Sequence, residues 1–361
     1  MNIIEIIPNL ATGGGEKFVI DLSNAFVDAG HDCTIVTMYD RSDEDVLTCY
    51  IKEGVKTFSL GKRPGADFRC MFRILRHIRN HKPGVVHAHL AAIMYILPAA
   101  ILCRKVKFFA TIHSDASGEA GAGLSKWIRK FLFKTKLVTP ITISEESEKS
   151  FERFYGFHTH MIPNGCSNYI PCIEISNLFK TYRENVDYLF IHAGRIQRVK
   201  NQLMLVEAFE KMIQQGVNGR LLIAGRIEDK ALFEQMKPYL SDRIVYIGEQ
   251  PNIRAIMSVA DAFCLSSVME GMPITIIEAF SVGCIPIVTP VGGCINMLEN
   301  GVNGYISSSS NLNDYTKSLM TFATTSINDL QKISNNGIET FKNNYSISQT
   351  AKRYLELFCN L

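Results

Sequence analysis

Two acidic residues flank a short apolar segment in the second half of the chain. Glu270 precedes Gly-Met-Pro, and Glu278 follows after seven intervening residues. Pro273 suits the first position of a helix, because it lacks an N–H group and its φ angle is already helical. Glu270 would then lie at the helix N-terminus, and Glu278 about one and a half turns inside the helix. Helix N-termini attract anions and carboxylates accept hydrogen bonds from hydroxyl groups, so the arrangement suits a phosphate-linked sugar. The alternative is a surface helix with two solvated acids.

Two basic residues follow a predicted strand at 187–193. Arg195 lies just beyond that strand, and Lys200 lies where the next predicted helix begins. Two fixed cations at the end of a strand can bind a diphosphate and stabilise it as it leaves. Solvated surface cations would show the same pattern.

A glycine-rich loop follows the first predicted strand. It reads Gly13-Gly14-Gly15-Glu16 and enters a helix, so the backbone can approach a phosphate closely. The spacing is not G-x-G-x-x-G, but Asp40 follows the second strand, where a dinucleotide-binding fold places its ribose-binding acid. Nicotinamide binding and a plain glycine turn both stay open at this point.

Several histidines end predicted strands. His87 and His89 lie on one face of a strand, because side chains alternate, but the sequence identifies no third ligand for zinc. His113 ends the next strand and is a candidate for a hydrogen bond to a substrate hydroxyl or phosphate. Each could equally be a histidine without chemistry. The acidic run Asp43–Asp45 resembles a D-x-D manganese motif, but its polar loop favours solvated charge.

Composition and length restrict the class of protein. The 361 residues are 47% hydrophobic and 20% charged, which predicts a soluble globular chain of two domains. No apolar run reaches the ~18 residues of a membrane helix. The first eight residues contain an acid and no basic lead, so we expect a buried strand rather than a signal peptide. The ten cysteines are scattered without a Cys-x-x-Cys pair, which favours a cytoplasmic protein.

Short apolar runs alternate with longer amphipathic ones, which predicts an α/β fold with parallel sheets. Strands are predicted at 2–7, 32–37, 84–87, 106–111 and 138–143, and then at 187–193, 220–224, 244–247, 261–265, 285–288 and 304–306. Helices are predicted at 15–29, 68–80, 90–102, 123–136 and 145–154, and then at 200–215, 229–239, 251–258, 273–282, 294–299, 312–325, 327–342 and 346–358. A turn-rich stretch at 162–166 separates the two sets, so we predict domains at 1–166 and 167–345. Two doubly wound sheets would leave a cleft, with ligands at the carboxyl ends of the strands.

In combination, these residues resemble glycosyltransferase family 4, the retaining group 1 transferases with the GT-B fold of two Rossmann-like domains facing across a cleft. The stronger part of the resemblance lies in the second half: Gly194-Arg195, Lys200-Asn201, Ala224-Gly225, Ala260-Asp261, Ser266, Glu270 to Glu278, Val291-Gly292-Gly293, Gly301 and Gly304. The looser part lies in the first half: Gly13 to Glu16, His87, His89, His113, Ser144 and Pro163-Asn164-Gly165.

The resemblance implies a role for each matching position. Arg195 and Lys200 would bind the donor diphosphate, and Glu278 the ribose hydroxyls. Glu270 and the amides of Gly271 and Met272 would hold the donor sugar.

In the first domain, the resemblance implies that Gly14 and Gly15 touch phosphate and that His113 lies beside the sugar and the reacting centre. The final helix, within 346–361, would pack back on this domain. Retention is implied by the family alone, and no carboxylate nucleophile is apparent, so the leaving phosphate is expected to take the acceptor's proton.

The resemblance thus predicts transfer of a hexosyl or N-acetylhexosaminyl group from a nucleotide diphosphate sugar, with UDP favoured, in surface polysaccharide biosynthesis. The acceptor would be a glycan or polyprenyl-linked hydroxyl compound. No metal or other cofactor is expected, because the two cations can stabilise the leaving diphosphate. An NAD-dependent oxidoreductase, a nucleotide-sugar epimerase of the same fold and a sugar-binding protein without activity remain alternatives.

The positive charge is concentrated in residues 62–136. This segment holds fifteen Lys and Arg against three acids, a local balance of +12. A helical projection of the 125–136 helix groups Trp127 and Phe131 with Ile128 and Leu132, and leaves Phe133 among cations. Arg69, Arg73 and Arg76 form a second basic stripe. We expect this surface to contact an anionic membrane, with the protein peripheral on the inner face of the plasma membrane, unless Phe133 packs on a neighbour. Nucleic acid is not expected, because aromatics are not interleaved for stacking.

Overall fold

The structure is a computed structural model that describes residues 1–11, 13–42, 45–121 and 123–361. Two members of the acidic run, Asp43 and Glu44, lie outside the described residues. The chain divides into two compact units. The first comprises Met1–Ser167 and Tyr345–Leu361, and the second comprises Asn168–Asn344.

The first unit is built on a parallel sheet of seven strands. These are β1 Asn2–Ile7, β2 Asp32–Thr37, β3 Lys56–Ser59, β4 Val85–His89, β5 Lys107–Ile112, β6 Thr139–Thr142 and β7 His160–Met161, in the order β3-β2-β1-β4-β5-β6-β7. In the register of the central pair β1 and β4, Glu5 lies opposite His87. The central strands are almost entirely buried, as expected when helices cover both faces of a sheet, and they are apolar except for Glu5 on β1 and two histidines on β4.

In the described part of the chain, seven α-helices precede the unit boundary. They are α1 Gly14–Asp28, α2 Phe68–His81, α3 Ala92–Tyr95, α4 Leu97–Leu102, α5 Ala116–Ala120, α6 Leu124–Lys134 and α7 Glu145–Tyr155. Side-chain caps define several starts: Asp67 caps α2, Asp115 caps α5, and Ser144 forms a capping box with Ser147 at α7.

The second unit is built on a parallel sheet of six strands. These are β8 Tyr188–Ala193, β9 Gly219–Ala224, β10 Ile244–Gly248, β11 Ala262–Leu265, β12 Ile285–Val288 and β13 Tyr305–Ile306, in the order β10-β9-β8-β11-β12-β13. Its helices are α8 Ile173–Lys180, α9 Gln202–Gln214, α10 Lys230–Met236, α11 Ile253–Met257, α12 Ile274–Val282, α13 Cys294–Met297, α14 Leu312–Thr324 and α15 Ile327–Thr340. The predicted α/β class with two doubly wound parallel sheets is confirmed.

The last helix, α16 Ile347–Asn360, belongs to the first unit. Its Tyr354 and Phe358 are fully buried, and the ring of Phe358 lies 4.6 Å from that of Phe109 on β5. Lys107 at the start of β5 donates to the carbonyl of Phe358 at 2.9 Å. These contacts fix α16 against the first sheet.

Some element predictions were wrong. The single helix predicted at 90–102 is divided into α3 and α4 at Ile96, because Pro98 lacks an N–H group and its ring collides with the carbonyl four residues earlier. Two edge strands, β3 and β7, were not predicted, since they are short and mostly exposed. The short helices α5 and α8 were missed as well.

No helix among the described residues is long and apolar enough to cross a bilayer.

Candidate active site

In the second unit, the loop after β8 carries the two predicted cations. Arg195 is half exposed, and its Nη1 lies 3.0 Å from Oε1 of Glu228. Glu228 also contacts Arg226 at 3.2 Å. Burial alone raises the pKa of Glu228, but Arg195 and Arg226 lower it overall, so the carboxylate is charged. Arg195 is therefore held by an acid that the sequence analysis did not identify.

Lys200 ends a short 3-10 helix, Arg198–Lys200, just before α9. Its Nζ lies 2.7 Å from Oε1 of Glu270, and both side chains are largely buried. The hydroxyl of Ser267 donates to the same oxygen at 2.5 Å. The structure thus brings together two of the four predicted residues, Lys200 and Glu270, whereas Arg195 pairs with Glu228.

Glu278 lies in α12, where only 8% of the residue is exposed. The helix begins one residue later than predicted, because Pro273 is its N-cap in an extended conformation and not its first residue. Glu270 precedes the cap by three residues, and Glu278 is the fifth helical residue. The predicted placement of one acid at the N-terminus and one inside is confirmed. Gly271 and Met272 connect Glu270 to the cap, and Met272 is buried.

Glycines bring the loops of this site into close contact. Gly292 has a φ of +50°, and a Cβ there would lie 1.7 Å from the carbonyl oxygen of Glu270. The next residue, Gly293, donates its N–H to the carbonyl of Gly271 at 2.7 Å. The backbone at 270–271 is therefore supported by the loop after β12, which only glycine permits.

A buried histidine and a glutamine support the Arg195 loop, a role that was not predicted from the sequence for either residue. Nδ1 of His192 lies 2.9 Å from the carbonyl oxygen of Cys264, and its Nε2 lies 3.2 Å from the amide nitrogen of Gln202. The same amide donates to the carbonyl of Arg195 at 2.8 Å. Burial lowers the pKa of His192 to about 4, so the ring is neutral near pH 7 and its Nδ1–H donates. A polar residue at the first position of the following helix was the only signal in the sequence.

In the first unit, His113 follows β5 and lies beside the first turn of α1. A Cβ at Gly15 would lie 3.8 Å from its Nδ1, and its ring packs edge-on against Phe18 at 5.9 Å. Oε2 of Glu119 accepts from the N–H of His113 at 2.7 Å. The predicted residues Gly14, Gly15 and His113 are therefore neighbours around the start of α1.

Behind His113 lies a buried polar cluster. Glu5, His87 and His89 are completely buried, and each offers one potential metal-ligating atom, all within 4.8 Å of one another. Glu5 is the third member that the sequence analysis did not find. Nε2 of His89 lies 2.6 Å from Oε2 of Glu5, closer than the roughly 3.3 Å between two atoms that share a tetrahedral zinc. The spacing fits a hydrogen bond.

The basic segment exposes different aromatics from those predicted. Phe133 is buried against Phe151 and Tyr155, and Arg129 is buried in an ion pair with Glu119, so the prediction of Phe133 among solvated cations was wrong. The buried stripe of α6 runs through residues 128, 129, 132 and 133, which rotates Trp127 and Phe131 to the surface. They are 70% and 48% exposed. Further exposed apolar residues lie on α2, α4 and α6: Phe68, Phe72, Ile101, Leu102 and Leu124.

Two models of known protein families match the chain, one in each of its two units. Residues 12–167 match the model described as Glycosyltransferase Family 4, and residues 175–340 match the model described as Glycosyl transferases group 1.

Two curated relatives align over most of the chain. N-acetyl-alpha-D-glucosaminyl L-malate synthase of Bacillus anthracis is 22% identical to this chain, in an alignment that covers 82% of this chain and 81% of the synthase. The UDP-Gal:alpha-D-GlcNAc-diphosphoundecaprenol alpha-1,3-galactosyltransferase of Escherichia coli is 23% identical, with coverages of 89% and 86%. Among solved structures, Anabaena HepE in complex with UDP and glucose aligns over 100% of both chains with a TM-score of 0.84 and 17% identity.

Proposed function

The chain belongs to the group 1, family 4 glycosyltransferases, and from that premise we propose that it transfers a hexosyl or N-acetylhexosaminyl group from a UDP-sugar, with retention. Its two Rossmann-like units have the predicted GT-B fold. The proposed acceptor is a hydroxyl group of a glycan or lipid-linked glycan in surface polysaccharide biosynthesis. The galactosyltransferase of E. coli, whose name includes UDP-Gal and a diphosphoundecaprenol, and the UDP-bound HepE support this choice.

The observation that carries the proposal is the contact between Lys200 and Glu270, whose backbone is held by the glycines of the loop after β12. The leaving diphosphate gains about one negative charge during transfer. A largely buried ammonium group stabilises such charge more than a solvated one does, because the local dielectric constant is lower. Lys200 and Arg195 bind the diphosphate in this scheme, so no metal ion is required.

The acids of the same unit bind the rest of the donor. Glu270 and the backbone of Gly271 and Met272 hold the sugar, and Glu278 accepts hydrogen bonds from the ribose hydroxyls. In the first unit, Gly14 and Gly15 contact phosphate, and His113 contacts the sugar near the reacting carbon.

Retention follows from a same-face reaction in which the leaving phosphate takes the acceptor's proton. Glu119 does not serve as a nucleophile, because its oxygens already accept from the backbone of His113 and from Arg129. Burial raises the pKa of Glu119. We therefore assign it a structural task.

The exposed apolar residues of α2, α4 and α6 form the acceptor-side surface of the proposal. They lie among basic residues of the 62–136 segment, including the exposed Arg69 and Arg76. A mixed aromatic and cationic surface suits the interface of an anionic membrane. We propose that the protein binds there peripherally, on the inner face of the plasma membrane.

Binding of nucleotides tests the donor assignment. We expect UDP to raise the thermal unfolding midpoint, and UDP-sugars to be hydrolysed or transferred. Lys200→Ala should reduce the UDP shift and lower kcat/KM by roughly 10²–10³, the loss typical of one electrostatic contact to a developing charge. Lys332→Ala, which removes an exposed lysine of α15, is the matched control and should behave like the wild type.

Substitutions of the two acids distinguish a role in UDP binding from a role in turnover, in the same assays. Glu278→Ala should weaken UDP binding, whereas Glu270→Ala should mainly reduce kcat. Because Lys200 and Glu270 touch, their double variant should lose less than the sum of the single losses. Equal UDP shifts for Lys200→Ala and the wild type would contradict the diphosphate role, and a reversed pattern for the two acids would exchange their roles.

A further inference from the structure

A single carboxylate lies at the centre of the first sheet and connects to His113. Glu5 on β1 is fully buried, and the two histidines of β4 lie beside it. Nε2 of His89 is 2.6 Å from Oε2 of Glu5, and Nδ1 of His87 is 3.0 Å from the same oxygen. A buried charge without partners would be very unfavourable, so these contacts are needed for folding. Each of these hydrogen bonds also has a defined donor and a defined acceptor.

The hydrogen bonds fix where the protons are. Burial alone raises the pKa of Glu5, but the two histidines lower it to about 2, so near pH 7 the carboxylate is ionised and only accepts. Nε2 of His89 must therefore carry its proton. Burial lowers the pKa of His89 to about 4, so its ring is neutral and Nδ1 holds a lone pair. That Nδ1 lies 2.9 Å from Nε2 of His113, which must then donate.

The remaining nitrogen of His113 is left as an acceptor. Burial, followed by the neighbouring His89 and His87, lowers the pKa of His113 well below its usual range, so this ring is neutral too. With its proton on Nε2, Nδ1 carries the lone pair and lies next to Gly15 in the first turn of α1.

The His113 ring has little freedom to leave this arrangement. Its backbone N–H is bound by Glu119, which Arg129 holds at 3.3 Å, and Phe18 packs against the ring edge. A flip of the imidazole would place a carbon against the lone pair of His89 and break the one hydrogen bond that the ring makes to the described residues. These contacts thus fix both the position and the tautomer of the His113 ring.

We propose that Glu5 and His89 are positioning residues that hold His113 in its Nε2–H tautomer, so that Nδ1 accepts a hydrogen bond from a hydroxyl group of the sugar substrate. The diphosphate oxygens of an intact UDP-sugar are ionised at neutral pH and only accept, so before transfer they cannot pair with this nitrogen. The sequence left hydroxyl and phosphate open as ligands of His113, and the buried carboxylate selects the hydroxyl. The identity of the substrate as a sugar rests on the proposed function, but the tautomer does not.

The tautomer is measured directly on the wild-type protein. Labelling of histidine with ¹⁵N and long-range ¹H–¹⁵N correlation report which ring nitrogen of each histidine is protonated, and His113→Asn assigns the signals. We expect protonated Nε2 and unprotonated Nδ1 for His113 near pH 7. A proton on Nδ1 would overturn the proposal, and so would stoichiometric zinc in the purified protein, because a metal would replace the proton of His89. If no sugar transfer is found but this tautomer is, only the proposed function fails.

Two substitutions at one position test the effect on catalysis. His89→Asn keeps an oxygen acceptor near the former Nδ1, whereas His89→Leu offers none. We expect His89→Leu to lower kcat roughly tenfold, the effect of about one hydrogen bond, with the UDP dissociation constant unchanged. His89→Asn should recover most of that loss and the His113 tautomer.

Active-site titration with UDP corrects each rate for the fraction of folded protein. His158→Gln, which removes a highly exposed histidine, serves as the control. Equal corrected rates for His89→Leu and wild type would overturn the positioning role, as would an equal loss in both His89 variants.

Discussion

At the scale of single residues, the protein uses buried histidines as neutral hydrogen-bonding groups. His192 donates to the carbonyl of Cys264 and accepts from Gln202, which in turn holds the backbone of Arg195. Neither contact requires a charged ring, and burial opposes one. The stability of the second unit should therefore depend on pH, because His192 must stay neutral in the folded state.

We expect the free energy of unfolding to fall on acidification, in part through His192. An unfolded histidine has a pKa near 6.5, whereas burial lowers the folded value to about 4. Between these values the unfolded state binds a proton that the folded state does not, so stability is lost as pH falls from about 6.5 towards 4. This gap corresponds to at most roughly 3 kcal/mol.

Urea unfolding of His192→Asn as a function of pH checks this expectation. An asparagine amide can still donate to the Cys264 carbonyl but does not titrate, so its stability should depend less steeply on pH than that of the wild type. His158→Gln should retain the wild-type slope, since that side chain is exposed. If the unfolding free energies of His192→Asn and the wild type had the same pH dependence, the pKa of His192 would not be lowered by folding. The buried His89 and His113 add to the acid sensitivity of every variant alike.

At the scale of elements, the candidate site depends on loops that follow parallel strands. The loop after β12 supports the Glu270 backbone through Gly292 and Gly293. Two independent features demand glycine at Gly292: its positive φ and the lack of space for a Cβ. The position of Glu270 is thus set by a segment more than twenty residues away in the sequence.

Replacement of Gly292 separates these two demands. Gly292→Ala should destabilise the protein by more than about 2 kcal/mol, because a left-handed backbone costs roughly 1–2 kcal/mol and the collision with Glu270 adds to it. Gly301→Ala is the matched control, since Gly301 has a φ of +76° with open space around it, and it should show the backbone cost alone. Urea unfolding measures both. Equal destabilisation by Gly292→Ala and Gly301→Ala would mean that the loop of Glu270 moves aside without a measurable loss of stability.

The alternation of apolar and amphipathic segments was enough to predict most of the elements. β1, β2 and β12 have the predicted bounds, because buried parallel strands are short segments rich in apolar residues. Edge strand β3 was missed because one side of it faces solvent, so its residues are mixed. The carboxylates that pair with Arg195 and with His89, the partner of His113, were also missed. Glu228 and Glu5 are distant in sequence, and only the sheet order brings them close.

At the scale of the whole molecule, charge and exposed apolar surface coincide in one part of the sequence. The 62–136 segment carries the local balance of +12, and its helices expose Phe72, Trp127 and Phe131. Helix α4 packs against both α2 and α6, so the three helices are neighbours in the first unit. The error over Phe133 came from the helix rotation, and the corrected rotation places two aromatics rather than one at the surface.

Binding to vesicles tests whether this surface meets a membrane. We expect the protein to float with vesicles that contain phosphatidylglycerol and not with purely zwitterionic ones. Each cation near an anionic surface contributes ~1 kcal/mol, and screening shortens its range, so ~0.5 M salt should release most of the protein. The double variant Trp127→Ser with Phe131→Ser should reduce the bound fraction several-fold at low salt, because it removes the aromatic area that enters the interface.

The matched control is Ile327→Ser, which removes an apolar side chain that is 77% exposed in the second unit. It should bind vesicles like the wild type, and both variants should retain the UDP shift, since their changes lie away from Lys200 and Glu270 in the sequence. Wild-type binding that is absent, or that neither salt nor the aromatic substitutions reduce, would rule out this surface as the membrane contact. The proposed lipid-linked acceptor would then rest on the similarity to the E. coli galactosyltransferase alone.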